Sequence, residues 1–93
     1  MIFEWDAEKA IANERKHHVD FKTAVRVFLD PNRLEDYDFE HGENEDRWIT
    51  IGLVEARMLM VVYTERRETI RLISARKATK DEQKAYRKIQ SRH

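Results

Sequence analysis

From Val61 to Thr79 the chain reads VVYTERRETIRLISARKAT, two strand-like runs whose apolar residues are punctuated by arginines, then a lysine, then a helix start. An interior sheet rarely holds that many guanidinium groups, because burying an unpaired charge costs several kcal/mol. Two arrangements satisfy such a sequence. Each arginine meets its own acid, or one face of the sheet lies open to something anionic.

The remaining segments build a small domain around those strands. Phe3–Trp5 reads as a short strand or extended entry. Asp6 caps a helix from Ala7 to about Lys16, with Trp5 and Ala10 spaced as a hydrophobic staple. Asp20 caps a second helix in which Phe21, Ala24, Val25 and Phe28 follow an i, i+3, i+4, i+7 pattern. Pro31 ends it, since the residue before proline is pushed out of the helical region. Arg33 to Phe39 is a candidate strand. Arg47 to Val54 alternates, predicting a half-buried strand with Ile49, Ile51 and Leu53 on its inner face. Leu59 to Thr64 is apolar on both faces and suits a central strand. Strict alternation from Thr69 to Arg76 sets Ile70, Leu72, Ser74 and Arg76 on one face and Arg71, Ile73 and Ala75 on the other. Thr79 and Glu82 form a capping-box pattern that opens a final helix to about Ser91, with Ala85, Tyr86 and Ile89 as its apolar stripe. The expectation is an α+β fold: two N-terminal helices, a three- to four-stranded antiparallel sheet and a C-terminal helix, the helices packed on one sheet face.

With 93 residues the chain predicts a single domain spanning 1–93. It has no cysteine, which excludes disulfides and thiolate metal sites. Neither a secretory leader nor a membrane-length apolar run is present in the sequence, so a cytoplasmic protein is expected. The net charge of zero conceals a split. Residues 1–46 carry 13 acids and 6 bases, a balance of −7, and residues 47–93 carry 5 acids and 12 bases, a balance of +7. That asymmetry fits an anionic partner for the basic half, or mutual neutralisation across the fold. The stretch from Glu35 to Asp46 holds seven of the acids and no base, and reads as an exposed, solubilising turn.

No composite catalytic motif stands out. Gly42 and Gly52 are the only glycines, so no phosphate-cradling loop exists, and no serine sits in a nucleophile-elbow context. His17 and His18 are adjacent on a helix and point apart, favouring capping or packing over ligation. A metal site of His41 with Asp38, Glu40 or Glu43 is conceivable, although such charge runs are ordinarily solvated. No metal or other cofactor is expected. What remains is a cationic constellation: Arg66, Arg71, Arg76, Lys77 and Lys80, with Arg67 beside them and Tyr63 and Glu65 next to Arg66. It suits metal-free RNA cleavage, in which a 2′-hydroxyl attacks the adjacent phosphate and guanidinium groups stabilise the charge on the phosphoryl oxygens. Cross-strand pairing of the same arginines with Glu55, Glu65 and Glu68 is the structural alternative, and the residues alone leave both open. In a regular hairpin Arg66 and Arg76 lie at opposite ends.

The segments FEWDAEKAIANERKHHVDF, AVRVFLDP, EDRWITIGL, VVYTER and IRLISARKAT, with Tyr86 beyond, make the chain similar to the BrnT family of bacterial toxins. That resemblance implies a fold related to the RelE-type toxins and a ribonuclease activity that arrests translation. It also implies a ribbon-helix-helix antitoxin, BrnA-like, which covers the toxin and carries the hetero-oligomer to operator DNA. By position, Arg66 matches the arginine of the family's Thr-Glu-Arg segment and Arg76, followed by Lys77, that of its Ser-Ala-Arg segment. The expected roles are Arg66 and Arg76 clamping the scissile phosphate, Glu65 or Tyr63 handling the proton, and Lys77, Lys80 and Arg71 holding flanking phosphates. Arg47, with Trp48, supplies a further substrate contact. Tyr63 stands where relatives carry histidine, and His18 where they carry a glycine. A phenol with an ordinary pKa near ~10 is a poor base at neutral pH, which shifts the expectation toward Glu65. Two other readings fit a basic face: a non-catalytic inhibitor that binds a nucleic-acid machine, and a toxin homologue serving as corepressor.

Overall fold

The computed structural model describes residues 1–40 and 45–90. Strands β1 (Ile2–Glu4), β2 (Leu34–Tyr37), β3 (Trp48–Val54), β4 (Arg57–Arg66) and β5 (Thr69–Lys77) form one sheet in the order β1-β5-β4-β3-β2. The sheet is mixed, not antiparallel throughout as the sequence suggested. Strand β1 pairs parallel to β5, Phe3 opposite Ile70, and every other pairing is antiparallel. Three residues are too few to show periodicity. Strand β1 is held by pairing and by Phe3, whose ring packs 5.2 Å from that of Phe28.

Helix α1 (Ala7–His17) starts where expected, its first turn capped by the Asp6 carboxylate on the Lys9 amide at 3.0 Å. It ends on His18 in the left-handed region, φ 59°, whose amide returns to the Glu14 carbonyl. The second helix is shorter than its periodicity implied. After α2 (Phe21–Ala24) the chain tightens into a 3₁₀ turn, Val25–Leu29. Pro31 holds Asp30 extended just beyond, leaving only nine residues for the whole segment. Helix α3 (Lys80–Gln90) carries the capping box: Thr79 Oγ1 accepts from the Glu82 amide at 3.2 Å, and Glu82 Oε1 from the Thr79 amide at 2.8 Å. Ser91, to which the final helix was expected to reach, lies outside the described residues.

The helices cover both faces of the sheet, which corrects the one-sided expectation. Against one face, α1, α2 and the 3₁₀ turn bury Phe21, Val27, Leu59, Val61, Tyr63, Leu72 and Ala75. Against the other, α3 closes a smaller cluster of Met58, Ala78 and Tyr86 with Leu34 and Ile51. The phase of β3 is also the reverse of that expected. Thr50, Gly52 and Val54 face the larger core, while Ile49 and Ile51 are half-buried on the α3 side and Leu53 is exposed. Gly52 decides this: a Cβ there would stand 3.0 Å from Val27 Cγ1 and 3.1 Å from Arg33 Cβ. Thr50 satisfies its hydroxyl on the Leu34 carbonyl at 2.8 Å.

Two polar side chains tie the layers. The buried Asn13 amide receives the Ala75 N–H at 3.0 Å and donates to the Ala75 and Val19 carbonyls at 2.9 and 3.0 Å. It thus completes the edge of β5 beyond the reach of β1. Asp30 accepts from the Tyr86 hydroxyl at 2.7 Å and the Leu53 amide at 2.8 Å on one oxygen, and from the Asn32 amide at 2.9 Å on the other.

Candidate nucleic-acid interface

Strand β5 contains one extra residue. Val62 pairs with Ser74 but Tyr63 pairs with Leu72, leaving Ile73 as a bulge. Beyond it the alternation changes phase. Ile70, Leu72 and Ala75 are all buried on the larger core, and Arg71, Ser74 and Arg76 share the opposite face. The regular split expected from the sequence, with Arg71 opposed to Arg76, therefore does not occur. On β4 the same face carries Met60, Val62, Thr64 and Arg66. Arg47, one residue before Trp48, alternates to this side as well, since Trp48 packs on the larger core. Four of the expected site arginines, Arg47, Arg66, Arg71 and Arg76, thus lie on one side of the sheet.

Helix α3 covers only part of that side. The row Ile49–Val62–Ser74 is half-buried, and the arginines frame it. Arg66 and the Thr64–Arg71 row are two residues apart along β4, about 7 Å; Arg71 and the Met60–Arg76 row are four apart, about 13 Å. From Arg66 to Arg76 the separation is about 20 Å. These two side chains do not meet on one phosphate. They mark the ends of a track.

Arg66, Arg71 and Arg76 each hold a carboxylate, but none of the three acids is one anticipated from sequence. Arg66 sets Nε and Nη2 on one oxygen of Glu45 at 3.2 and 3.0 Å. Arg71 approaches Glu4 at 3.4 Å. Arg76 forms a two-pronged pair with Glu82, Nη1–Oε1 2.8 Å and Nη2–Oε2 2.9 Å, and also donates to the Lys77 carbonyl at 3.1 Å. Of the acids expected, Glu55 pairs with Arg26 at 3.2 Å, and Glu65 and Glu68 form no ion pair with a described residue. Arg47 keeps a buried Nε that has no hydrogen-bond partner. Hydrogen bonds from Arg76, opposed by partial burial and reinforced by the Thr79 amide, hold the Glu82 carboxyl below the ordinary carboxylate range.

Tyr63 and Glu65 alternate to the side away from these arginines. Tyr63 is 2% exposed, with its ring 5.0 Å from that of Phe28. Burial, and then the neighbouring Glu35 carboxylate, push its phenol far above its ordinary value. It is a core residue with no access to a proton on the arginine face. Glu65 is exposed at the end of β4, opposite Ile70. Lys77 is exposed where β5 ends, and Lys80 is exposed at the start of α3. His41 and Glu43 lie outside the described residues. Asn13, Asp30 and the pairing of Arg76 with Glu82 escaped the sequence reading. Only the capping-box spacing of Thr79 and Glu82 hinted at the last of these.

A comparison with curated proteins finds no match to the chain. Residues 5–82, which span every element from α1 through β5 and all four arginines, match the family described as "Ribonuclease toxin, BrnT, of type II toxin-antitoxin system". The chain belongs to the BrnT family, the ribonuclease toxins of type II toxin–antitoxin systems.

Proposed function

We propose that the protein is a metal-independent endoribonuclease that acts in the cytoplasm, cuts RNA and so arrests translation and growth. A ribbon-helix-helix antitoxin neutralises it, and the resulting hetero-oligomer represses its own operon, touching operator DNA through the antitoxin. Family membership supports the class of activity. The observation that carries its placement is the single arginine-lined side of the sheet, brought into phase by the bulge at Ile73.

RNA lies along that side, with phosphates held at Arg66, Arg71 and Arg47 and the scissile phosphate at Arg76. Lys80 lies near the same end of the sheet. Exposed arginine–carboxylate pairs contribute little stability, about 0–1 kcal/mol, so phosphate oxygens displace Glu45 and Glu4 at small cost. At Arg76 the pair with Glu82 persists. Three of the five guanidinium N–H groups are engaged by Glu82 and the Lys77 carbonyl, leaving two for the phosphoryl oxygens. Glu82 Oε1 accepts from Arg76 and Thr79, whereas Oε2 accepts from Arg76 alone and keeps a free lone pair. That oxygen takes the proton from the 2′-hydroxyl as its oxygen attacks phosphorus. The P–O5′ bond breaks, water protonates the leaving 5′-oxygen, and the products are a 2′,3′-cyclic phosphate and a 5′-hydroxyl end. The burial of Tyr63 and the outward position of Glu65 support giving the proton to Glu82.

The test is expression of wild type and Arg76→Ala without antitoxin, with cellular RNA examined for cuts, and cleavage by purified protein in the presence of a metal chelator. Growth arrest with chelator-resistant cleavage, reduced about 100–1,000-fold by the substitution, is the expected result. An Arg76→Ala protein that cuts RNA at the wild-type rate overturns the assignment. A second reading, a binding-only inhibitor, is favoured by the carboxylate pairing of Arg66, Arg71 and Arg76. Salt-dependent RNA binding without cleavage products would identify it.

A further inference from the structure

At the end of the sheet away from the β4–β5 turn is a recess of about 350 Å³, with Arg57, Lys77, Gln83 and Arg87 on its walls and Leu53 and Met58 as its apolar floor. Its three cations come from the start of β4, the end of β5 and the last turn of α3. None of them forms an ion pair with a described residue. Arg57 makes a long contact to the His18 carbonyl, 3.4 Å, and has the Asp20 carboxylate within electrostatic reach, and Arg87 makes a long contact to Gln83 Oε1, 3.5 Å. Acids are not scarce: the chain holds 18 acids and 18 Lys and Arg residues, and Arg26, Arg33, Arg66, Arg71 and Arg76 each have a carboxylate. Three like charges around one hollow repel each other, and a cleft lined by one sign of charge concentrates counter-ions.

We propose that this recess is a phosphate-binding subsite, filled by a phosphodiester of the bound RNA one or more nucleotides from the scissile bond. The inference rests on the ribonuclease reading for the identity of its ligand. Continuity argues for RNA. Arg76 and Lys77 are consecutive, one at the end of the arginine track and the other in the recess wall, so a strand leaving Arg76 passes over the end of β5 into the hollow. Two guanidinium forks and an ammonium match the oxygens of a phosphate. Gln83 serves as a positioning residue: its amide nitrogen is anchored on the Ala78 carbonyl at 3.2 Å while its oxygen steadies Arg87. Gln83 and Arg87 lie beyond the residues matched by the family.

The experiment has two arms. Inorganic phosphate is titrated into the labelled protein, with backbone amide shifts followed by NMR. Binding of a single-stranded oligoribonucleotide is then measured across a salt series for wild type and the Arg57→Gln/Arg87→Gln double variant, whose fold is verified by its own amide spectrum. Phosphate should shift the amides of Arg57, Met58, Lys77 and Gln83. The double variant should lose about 1.4 from the log–log salt slope, roughly 0.7 for each cation removed. Absence of phosphate shifts at these amides overturns the subsite. Phosphate shifts with an unchanged RNA slope overturn its assignment to RNA. If wild type neither binds nor cuts RNA while phosphate still shifts the recess, the ribonuclease reading fails and the anion site stands for a different phosphorylated ligand.

Discussion

One amide group, that of Asn13, satisfies three backbone groups on two other segments. No apolar residue of similar size does this, and a carboxylate fails too, since it has no proton to offer the Val19 and Ala75 carbonyls. Replacing Asn13 with Ala leaves a buried N–H and two carbonyls short of partners. The expected loss is about 2–4 kcal/mol, read from urea unfolding. Asn13→Asp should be no better, which separates hydrogen-bond geometry from side-chain volume. Arg76 is specific in another way. Its fork meets both oxygens of Glu82, and a lysine would retain the charge without the second bond. Which residues are cationic was plain in the sequence. Which acid each arginine meets was not, because Glu4, Glu45 and Glu82 reach the hairpin from three different segments and only folding brings them there.

Elements were legible where a long period or a cap defines them. The Asp6 and Asp20 caps, the Thr79–Glu82 box and strands β3 to β5 all fall near the boundaries their residues imply. Phase was less legible. In β3 both faces carry apolar or small residues, and the choice turned on the close approach of Val27 and Arg33 to Gly52, a tertiary fact. In β5 the bulge leaves no compositional mark, since Ile73 is an ordinary strand residue. The docking of α3 depends on contacts equally hidden from sequence, chief among them the Tyr86 hydroxyl on Asp30, 56 residues away. Tyr86→Phe keeps the ring in the small cluster and removes that bond. It should cost about 1.5–3 kcal/mol, as expected for a hydrogen bond to a charged group, and should loosen α3 in hydrogen exchange before the rest of the fold.

For the molecule as a whole, these paired groups set a pH window. Burial alone would raise the Asp30 carboxyl, but hydrogen bonds from Tyr86, Leu53 and Asn32 outweigh it and hold it below its ordinary 3.8. Glu82 lies below its ordinary 4.5, chiefly through Arg76. A carboxylate whose folded pKa is depressed contributes fully above its unfolded value and loses that contribution as pH falls toward the folded one. Stability should therefore decline as pH drops below 4.5 and then 3.8. On the alkaline side, burial and then Asp30 push the Tyr86 phenol from 10.0 up to about 12. A raised folded pKa contributes fully below the unfolded value, so that contribution fades as pH climbs from 10 toward 12. Thermal unfolding across pH should show a plateau bounded by these two declines, and Tyr86→Phe should remove part of the alkaline one.

The extra residue in β5 has a genetic corollary. A missense change at Arg71 alters one charge and leaves its neighbours in place. Loss of the single codon for Ile73 would remove only the extra residue: Ser74 would follow Leu72 in a regular ladder, with Arg71, Ser74 and Arg76 still on one face and Ile70, Leu72 and Ala75 on the other. The basic track therefore survives a change of spelling and the loss of that one codon, but not a strand that keeps Ile73 and pairs it regularly, because strict alternation through it would set Arg71 and Arg76 on opposite faces.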